Sequence, residues 1–292
     1  MNKAQIREEI ENWINDDTEL TEEFMSKLNH HFFSMLKKPD EEHMETFRTV
    51  RDALILAWLT DLFKQLEKHL KASNLMGYEE ALDQLTSKDI VEIVNKKVTP
   101  EKIKNLYKAK LDSAMADITY ISQGIKTSSE KAIKDIQNNI LDSKKTISTE
   151  LASEFADYGI TYFVDTAGRR QDISKYVNKK SLTLVMDCMR GGLFYEAIRK
   201  GVDLVKIVHL NLHPHCPLCE PFNNKILSIS GETEGYMTID EAYMAGLWHS
   251  YCDDIPVMYE LAPTEGDNNI KLNKENEKRK AYNTKKGNRL KL

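Results

Sequence analysis

The chain has 292 residues, and its 41 Lys and Arg against 46 Asp and Glu give a formal net charge of −5. Its composition, 41% hydrophobic and 30% charged, is typical of a soluble globular protein. The longest apolar run, Ala53 to Leu59, is far shorter than the ~20 residues that cross a bilayer. The acidic start lacks the apolar core of a secretory signal, and four Cys are too few for a disulfide scaffold, so we expect a protein of a reducing compartment.

The region before Gly159 predicts long antiparallel helices, because Gly and Pro are rare there. One apolar stripe, with a seven-residue gap after its second member, follows Met44, Phe47, Leu54, Trp58, Leu62, Leu66 and Leu70. A second stripe, interrupted by Lys at position 144, follows Ile133, Ile136, Ile140, Ile147, Leu151 and Phe155. Shorter helices are expected near residues 4–16, 21–37 and 87–97. The stripes fit either core packing or a surface for a partner chain.

After Gly159 the sequence predicts a small α+β unit. Tyr162-Phe163-Val164 is a β-prone run, and the basic segment 165–170 that follows it is turn-like. A helix is expected from about Asp172 to Lys200, with a kink or close packing at Gly191-Gly192. Strands are expected at Val202–Leu210, Lys225–Ile229 and Ile255–Leu261, and a short helix at Thr238–Ala245, where Thr238 and Glu241 form a capping box.

From Gly266 onward the chain is basic and low in apolar residues. Nine Lys or Arg and three Asp or Glu give this segment a charge of 9 − 3 = +6, which leaves −5 − 6 = −11 for the rest of the chain. The composition predicts a flexible tail that is either solvated or in contact with nucleic-acid phosphates. The candidate phosphate contacts are Lys278, Arg279, Lys280, Lys285, Lys286 and Arg289.

The strongest chemical signal is a CxxC-loop-HxxC pattern formed by Cys216, Cys219, His249 and Cys252. Two thiolates separated by two residues reach one ion from a single tight turn, and a second short pair closes the tetrahedron. The pattern predicts a structural Zn²⁺ site with these four ligands, in which His215 or His213 could replace the histidine of the HxxC pair. Because the strands around it are short, the ion would supply much of the folding free energy of this unit.

Other interpretations of the cysteine pattern stay open. The thiols could be reduced and bind no metal. A catalytic zinc is disfavoured because four protein ligands leave no position for water. Cys188 lies apart from the cluster in a predicted helix and is expected to be a small buried residue. The predicted fold is α+β but mainly α, with a helical domain at 1–158, a zinc-binding α+β domain at 159–265 and a basic flexible tail at 266–292.

Several motifs between residues 155 and 262 occur in a fixed order. They are Tyr162 to Arg170, Tyr176, His213 to Cys219, Cys219 to Gly231, and Gly246-Leu247-Trp248-His249-Ser250-Tyr251-Cys252. This order resembles the phage minor capsid proteins, minor head proteins related to the Mu F-like head morphogenesis group. There are two departures: Phe222 stands where that family has Trp, and Asp253-Asp254 follow the last cysteine where it has a basic pair.

The resemblance implies a structural, non-enzymatic protein of the phage head, present in few copies at or near the portal vertex. Its partners would be the portal protein and other head proteins, with packaged DNA against the basic tail, and it would be oligomeric within the virion. It would be found in the virion and, during assembly, in the host cytoplasm.

Two other functions remain open at this point. A zinc-braced HNH-like nuclease would use His213, His215 and Asp254 with a second metal such as Mg²⁺, although the spacing of Asp, His and Asn that this chemistry needs is not found in the sequence. A zinc-braced adaptor would instead bridge other cellular proteins.

Overall fold

The computed structural model describes residues 3–84, 106–143, 162–165, 168–259, 270–288 and 290. The chain is mainly helical with small antiparallel sheets, which confirms the predicted fold class. Its helices are α1 (Lys3–Lys37), α2 (Glu41–Gln84), α3 (Leu106–Ser143), α4 (Ile173–Arg199), α5 (Ile239–Met244) and α6 (Lys274–Lys286). Its strands are β1 (Tyr162–Val164), β2 (Arg170–Asp172), β3 (Leu204–His209), β4 (Ile226–Ser228) and β5 (Asp254–Met258). None of the helices in the described part of the chain is both long and apolar enough to span a bilayer.

The chain forms two compact units that do not follow chain order. The helical unit comprises Trp13–Leu66 and Asp112–Ser181, and the C-terminal unit comprises Met1–Asn12, Glu67–Leu111 and Leu182–Leu292. This division is different from the predicted one, whose boundary at residue 158 lies outside the described residues. The helix predicted at 87–97, and the end of the second apolar stripe from Ile147 onward, also lie outside them.

Helix α1 is continuous, and the prediction of two separate helices at 4–16 and 21–37 was wrong. The intervening polar residues do not break the helix because their side chains find partners within the helical unit. The hydroxyls of Thr18 and Thr21 donate to the carbonyls one turn earlier. The buried Asp17 carboxylate accepts a hydrogen bond of 3.1 Å from Gln65 Nε2.

The core of the helical unit is built on the first apolar stripe. Phe24 stacks on Trp58 with ring centroids 4.7 Å apart, and Phe32 meets Phe47 edge to face at 5.3 Å. The seven-residue gap in the stripe is filled by Arg51, which is 5% exposed. Its guanidinium donates to Glu130 Oε1 at 2.6 Å and to Ser129 Oγ at 3.0 Å, so α2 and α3 share a buried, paired charge.

The C-terminal unit contains a three-stranded antiparallel sheet in the order β4-β3-β5. These strands confirm the three predicted ones. Each is shorter than predicted, and β5 begins one residue earlier, at Asp254. The capping box at Thr238 and Glu241 is also confirmed, with both of its hydrogen bonds present. Helix α4 runs without interruption across Gly191 and Gly192 and is followed by Gly201 in a left-handed conformation (φ 70°). The sheet and α5 enclose a core that includes Phe194, Val205, Ile207, Phe222, Leu247 and Trp248.

Helix α2 holds α4 in place inside this unit. At Gly77 an added Cβ would lie 2.0 Å from the carbonyl oxygen of Met189, so only glycine permits this approach. Ser73 Oγ donates to the Val185 carbonyl at 2.6 Å, and Asn74 Nδ2 donates to the Cys188 carbonyl at 2.9 Å. These contacts fix the position of the middle of α4, the helix that also contacts the candidate site described below.

The prediction of a flexible tail was wrong for Lys274–Lys286, which form α6. The helix begins with a capping box at Asn273 and is followed by Gly287 at φ 66°. Its buried face carries two asparagines in place of apolar residues. Asn276 Nδ2 donates to the carbonyls of Leu218 and Ala245, and Asn283 Nδ2 donates to that of Met244, at 2.9–3.0 Å. The low apolar content of this segment did not predict a packed helix, because hydrogen bonds from asparagine amides to backbone carbonyls hold it in place of apolar contacts.

Asp203 organises the loop after β4. Its carboxylate accepts hydrogen bonds from Ser228 Oγ at 2.8 Å, from the Ser230 backbone NH at 2.7 Å and from the Thr233 hydroxyl. Burial opposes the ionisation of Asp203, but these hydrogen bonds outweigh it, and the pKa of the carboxyl lies below its ordinary value.

We expect Asp203→Asn to lower the free energy of unfolding by about 1.5–3 kcal/mol at pH 7, because the variant loses charge-assisted hydrogen bonds. A carboxyl with a lowered folded-state pKa stabilises the fold above its unfolded pKa of ~3.9 and loses that effect as the pH falls through the folded value. The difference from the wild type should therefore shrink below about pH 4. Urea titrations at several pH values measure this, with the exposed Glu232→Gln as a control of no effect. An equal difference at pH 3 and pH 7 would contradict the expectation.

Candidate metal centre

The first cysteine pair lies on one tight turn. The backbone NH groups of Cys219 and Glu220 both donate to the carbonyl of Cys216, at 3.1 and 3.0 Å. Cys219 also precedes a single 3-10 turn, Glu220–Phe222, which has Pro in its first positions. The CxxC spacing thus places both thiols on the same side of a short, hydrogen-bonded loop.

The HxxC pair lies on a loop with two residues at positive φ. Trp248 (φ 57°) precedes His249, and Tyr251 (φ 72°) precedes Cys252. Such conformations are costly for residues with a large side chain and persist only where the surroundings fix them. Here the NH of Tyr251 donates to Thr183 Oγ1 at 2.9 Å, which ties the loop to α4.

The two pairs meet side chain to side chain. Cys219 Sγ lies 3.4 Å from Cys252 Sγ, and Cys216 Sγ lies 2.8 Å from His249 Nε2. The sulfur atoms are not bonded to each other, since a disulfide bond is ~2.05 Å long. Two ligands of one tetrahedral Zn²⁺ lie roughly 3.5–3.8 Å apart. Each of these two contacts joins the CxxC motif to the HxxC motif at a distance that allows the two side chains to bind the same ion.

The histidine of the centre has the hydrogen-bonding pattern of a metal ligand. His249 Nδ1 lies 2.6 Å from the carbonyl oxygen of Ser250, an acceptor, so this nitrogen carries the proton. In the neutral ring the lone pair is then on Nε2, the atom that faces Cys216 Sγ. Metal-binding histidines typically donate their other NH to a carbonyl or carboxylate in this way.

The surroundings shift the pKa values of Cys219 and His249 toward the neutral forms of both groups. The contact with Cys252, together with burial, raises the pKa of the Cys219 thiol above its ordinary value. Burial lowers the pKa of His249, which keeps the imidazole neutral and able to bind a metal. A buried divalent ion would offset the cost of the thiolates, because its charge is the largest in such a site.

The structure brings the four predicted ligands together in overlapping groups. Cys216, Cys219 and His249 have ligand atoms within 4.8 Å of one another, as do Cys219, Cys252 and Asp254. The two alternative ligands lie elsewhere: His215 groups with His209 and Asp254, and the ring of His213 stacks on Tyr251 with centroids 4.0 Å apart. The arrangement thus favours His249 over His215 or His213 as the fourth ligand.

The proposed nuclease residues are not assembled as a set. His215 Nε2 lies 3.5 Å from Asp254 Oδ1. The carbonyl oxygen of His213 instead lies 2.9 Å from His209 Nε2, and its ring stacks on Tyr251. Burial lowers the pKa of His213. Among the predicted phosphate contacts, Lys278, Arg279, Lys280, Lys285 and Lys286 are exposed on α6, and Arg289 lies outside the described residues.

Sequence reasoning missed Arg190, a residue of α4 that is 4% exposed. Its Nη2 donates to the Cys252 carbonyl at 2.6 Å and its Nε to the Asp254 carbonyl at 2.9 Å. The guanidinium also lies over the ring of Trp248, 5.4 Å from its centroid. A charged residue within the largely apolar segment Leu182–Phe194 was the signal in the sequence, and it did not identify a partner.

Comparison with known protein families identifies the family of this chain. A sequence model of the family described as phage minor capsid protein 2 matches residues 23–290, nearly the whole chain. No curated protein and no solved structure gives a match. The family match supports a structural role in the phage head and a location in the virion. It also confirms the resemblance found in the sequence: the chain belongs to the phage minor capsid protein 2 family.

Proposed function

We propose that the chain is a structural minor component of the phage head, acts at or near the portal vertex, and is stabilised in its C-terminal unit by one structural Zn²⁺ bound by Cys216, Cys219, His249 and Cys252. The observation that carries the zinc assignment is the convergence of these side chains from two separate loops. Four protein ligands close a tetrahedral ion, so the metal would brace the fold and take no part in catalysis. Burial of two of the sulfur atoms fits this role, since Cys219 and Cys252 are 2% and 4% exposed.

The partners in this proposal are the portal protein and other head proteins, in an oligomeric assembly. We include packaged DNA as a further partner of α6. Five of the six predicted basic side chains are exposed on α6, as is Lys274, and the helix is held in place by Asn276 and Asn283, so these side chains are presented on a fixed surface. Basic side chains arranged in this way gain affinity by releasing counterions from phosphates.

The experiment is to disrupt the gene in the phage and to complement it with the wild-type chain or with His30→Ala, an exposed histidine of α1 that serves as a neutral control. We expect the protein in purified virions by mass spectrometry, cross-links from it to the portal protein, and loss of infectious particles on disruption. Ultraviolet irradiation of the same virions should give nucleotide-linked peptides from residues 274–286.

Two results would overturn the proposal. Normal yields of infectious particles that lack the protein would remove the head role. Nicking of plasmid DNA by the purified chain, lost in His215→Ala, would favour the nuclease.

A further inference from the structure

A second group of potential ligands lies beside the cysteine centre, in the C-terminal unit. His209, His215 and Asp254 have ligand atoms within 4.8 Å of one another. Asp254 is 1% exposed, and the side chains of His209 and His215 are 10% and 19% exposed. None of the three is needed to complete a Cys₃His site.

The sheet positions two of these residues directly. The register of β3 and β5 pairs His209 with Asp254, and antiparallel partners face the same side of the sheet. His209 Nδ1 lies 2.9 Å from Asp254 Oδ1 and 3.2 Å from Asp253 Oδ1. His215 arrives from the loop before the first cysteine, and its ring stacks on that of His209 with centroids 4.3 Å apart.

The hydrogen bonds of the His209 ring leave a nitrogen lone pair facing Asp254 Oδ1, and His215 Nε2 faces the same oxygen. His209 Nε2 lies 2.9 Å from the carbonyl oxygen of His213, so this nitrogen carries the proton of the neutral ring. His209 Nδ1 then presents a lone pair to a carboxylate oxygen, which is unfavourable without a positive charge between them. His215 Nε2 is buried and has no hydrogen-bond partner, and Asp254 Oδ1 is 3.5 Å away.

The charge balance also calls for a cation at this point. Asp253 and Asp254 are 4% and 1% exposed, and adjacent buried carboxylates are costly unless they are paired. In the described part of the chain, their side chains have only His209 and His215 at ion-pair distance, and no Lys or Arg. Arg190 donates to backbone carbonyls of this segment and to Asp187.

Asp254 faces both centres. Its Oδ1 lies among the histidines, while its Oδ2 lies 3.6 Å from Cys252 Sγ. We propose that His209, His215 and Asp254 bind a second divalent transition-metal ion, next to the cysteine centre. Two imidazoles and a carboxylate suit Zn²⁺ and related first-row ions, and three protein ligands leave a position for water or for a group from another molecule. This goes beyond the structural zinc of the proposed function.

Metal analysis of the full-length chain tests the proposal. We expect two Zn²⁺ ions per chain after dialysis against metal-free buffer. Titration with Co²⁺ separates the two centres in the wild type, because only the cysteine centre gives intense thiolate-to-cobalt charge-transfer absorption. The second equivalent of Co²⁺ should bind without increasing that absorption.

Variants assign the second ion to its ligands. His215→Ala and the more conservative His215→Gln should each bind one ion per chain and keep the full thiolate absorption. His30→Ala, which removes an exposed histidine of α1, should bind two. One ion in the wild type, bound with thiolate absorption, would overturn the proposal and leave the structural zinc intact. Two ions in both His215 variants would also overturn it.

Discussion

Cys219→Ser is expected to abolish metal binding at the cysteine centre and to lower the free energy of unfolding by at least about 3 kcal/mol. A serine hydroxyl is a poor zinc ligand, and it would leave three ligands converging on a buried position. Cys219 is 2% exposed and packs in the core cluster with Phe222 and Cys252, so the loss would fall on the core of the C-terminal unit. Thermal melting and elemental analysis of the same preparations measure the two effects together.

The matched control is Cys188→Ala, which removes the buried thiol outside the cluster. Cys188 is 0% exposed in α4, as predicted, and burial raises the pKa of its thiol. Its replacement should cost about 1 kcal/mol of packing and leave the metal content unchanged. A chelator added to the wild type should reproduce the melting behaviour of Cys219→Ser. Unchanged melting and unchanged metal content in Cys219→Ser would refute the structural zinc.

The cysteine pattern could be predicted from the sequence because each half of it is local. Two cysteines three positions apart share one turn whatever the rest of the fold does, and the same holds for a His and a Cys. His209 and Asp254 are 45 residues apart, and only the register of β3 and β5 makes them neighbours. No spacing rule signals such a pair. The nuclease hypothesis had already named His215 and Asp254, but His209 could not be assigned to this group without the structure.

The fold shows the same contrast between features that a local pattern predicts and features that depend on distant partners. The apolar stripe of α2 was predicted, but the buried Arg51 in its gap was not, because a buried charge depends on partners on another helix. Polar residues misled the prediction twice more. Two helices were predicted where α1 continues through the buried Asp17. A flexible tail was predicted from low apolar content and basic charge, where Asn276 and Asn283 hold a helix. In each case a side-chain hydrogen bond to a distant group decides the outcome.

Arg190→Ala is expected to lower the free energy of unfolding by about 3–5 kcal/mol, because it removes a buried charge that satisfies several groups at once. The carbonyls of Cys252 and Asp254 would both lose their guanidinium donor. The ion pair of Arg190 with Asp187 would also be lost, although Lys110 still contacts that carboxylate. Because the two carbonyls belong to the segment that carries the last cysteine, the metal affinity should fall by about 10–100-fold.

Two further variants separate this role from a simple loss of charge. Arg190→Lys keeps the charge but lacks the planar fork that reaches both carbonyls, so it should recover only part of the stability and metal affinity. Arg7→Ala removes an exposed arginine paired with Glu11 in the same unit and should change stability by less than about 1 kcal/mol. Urea denaturation and competition with a metal chelator provide the measurements. If Arg190→Ala kept the metal affinity of the wild type while losing stability, the guanidinium would support the fold alone and would not position the ligand loop.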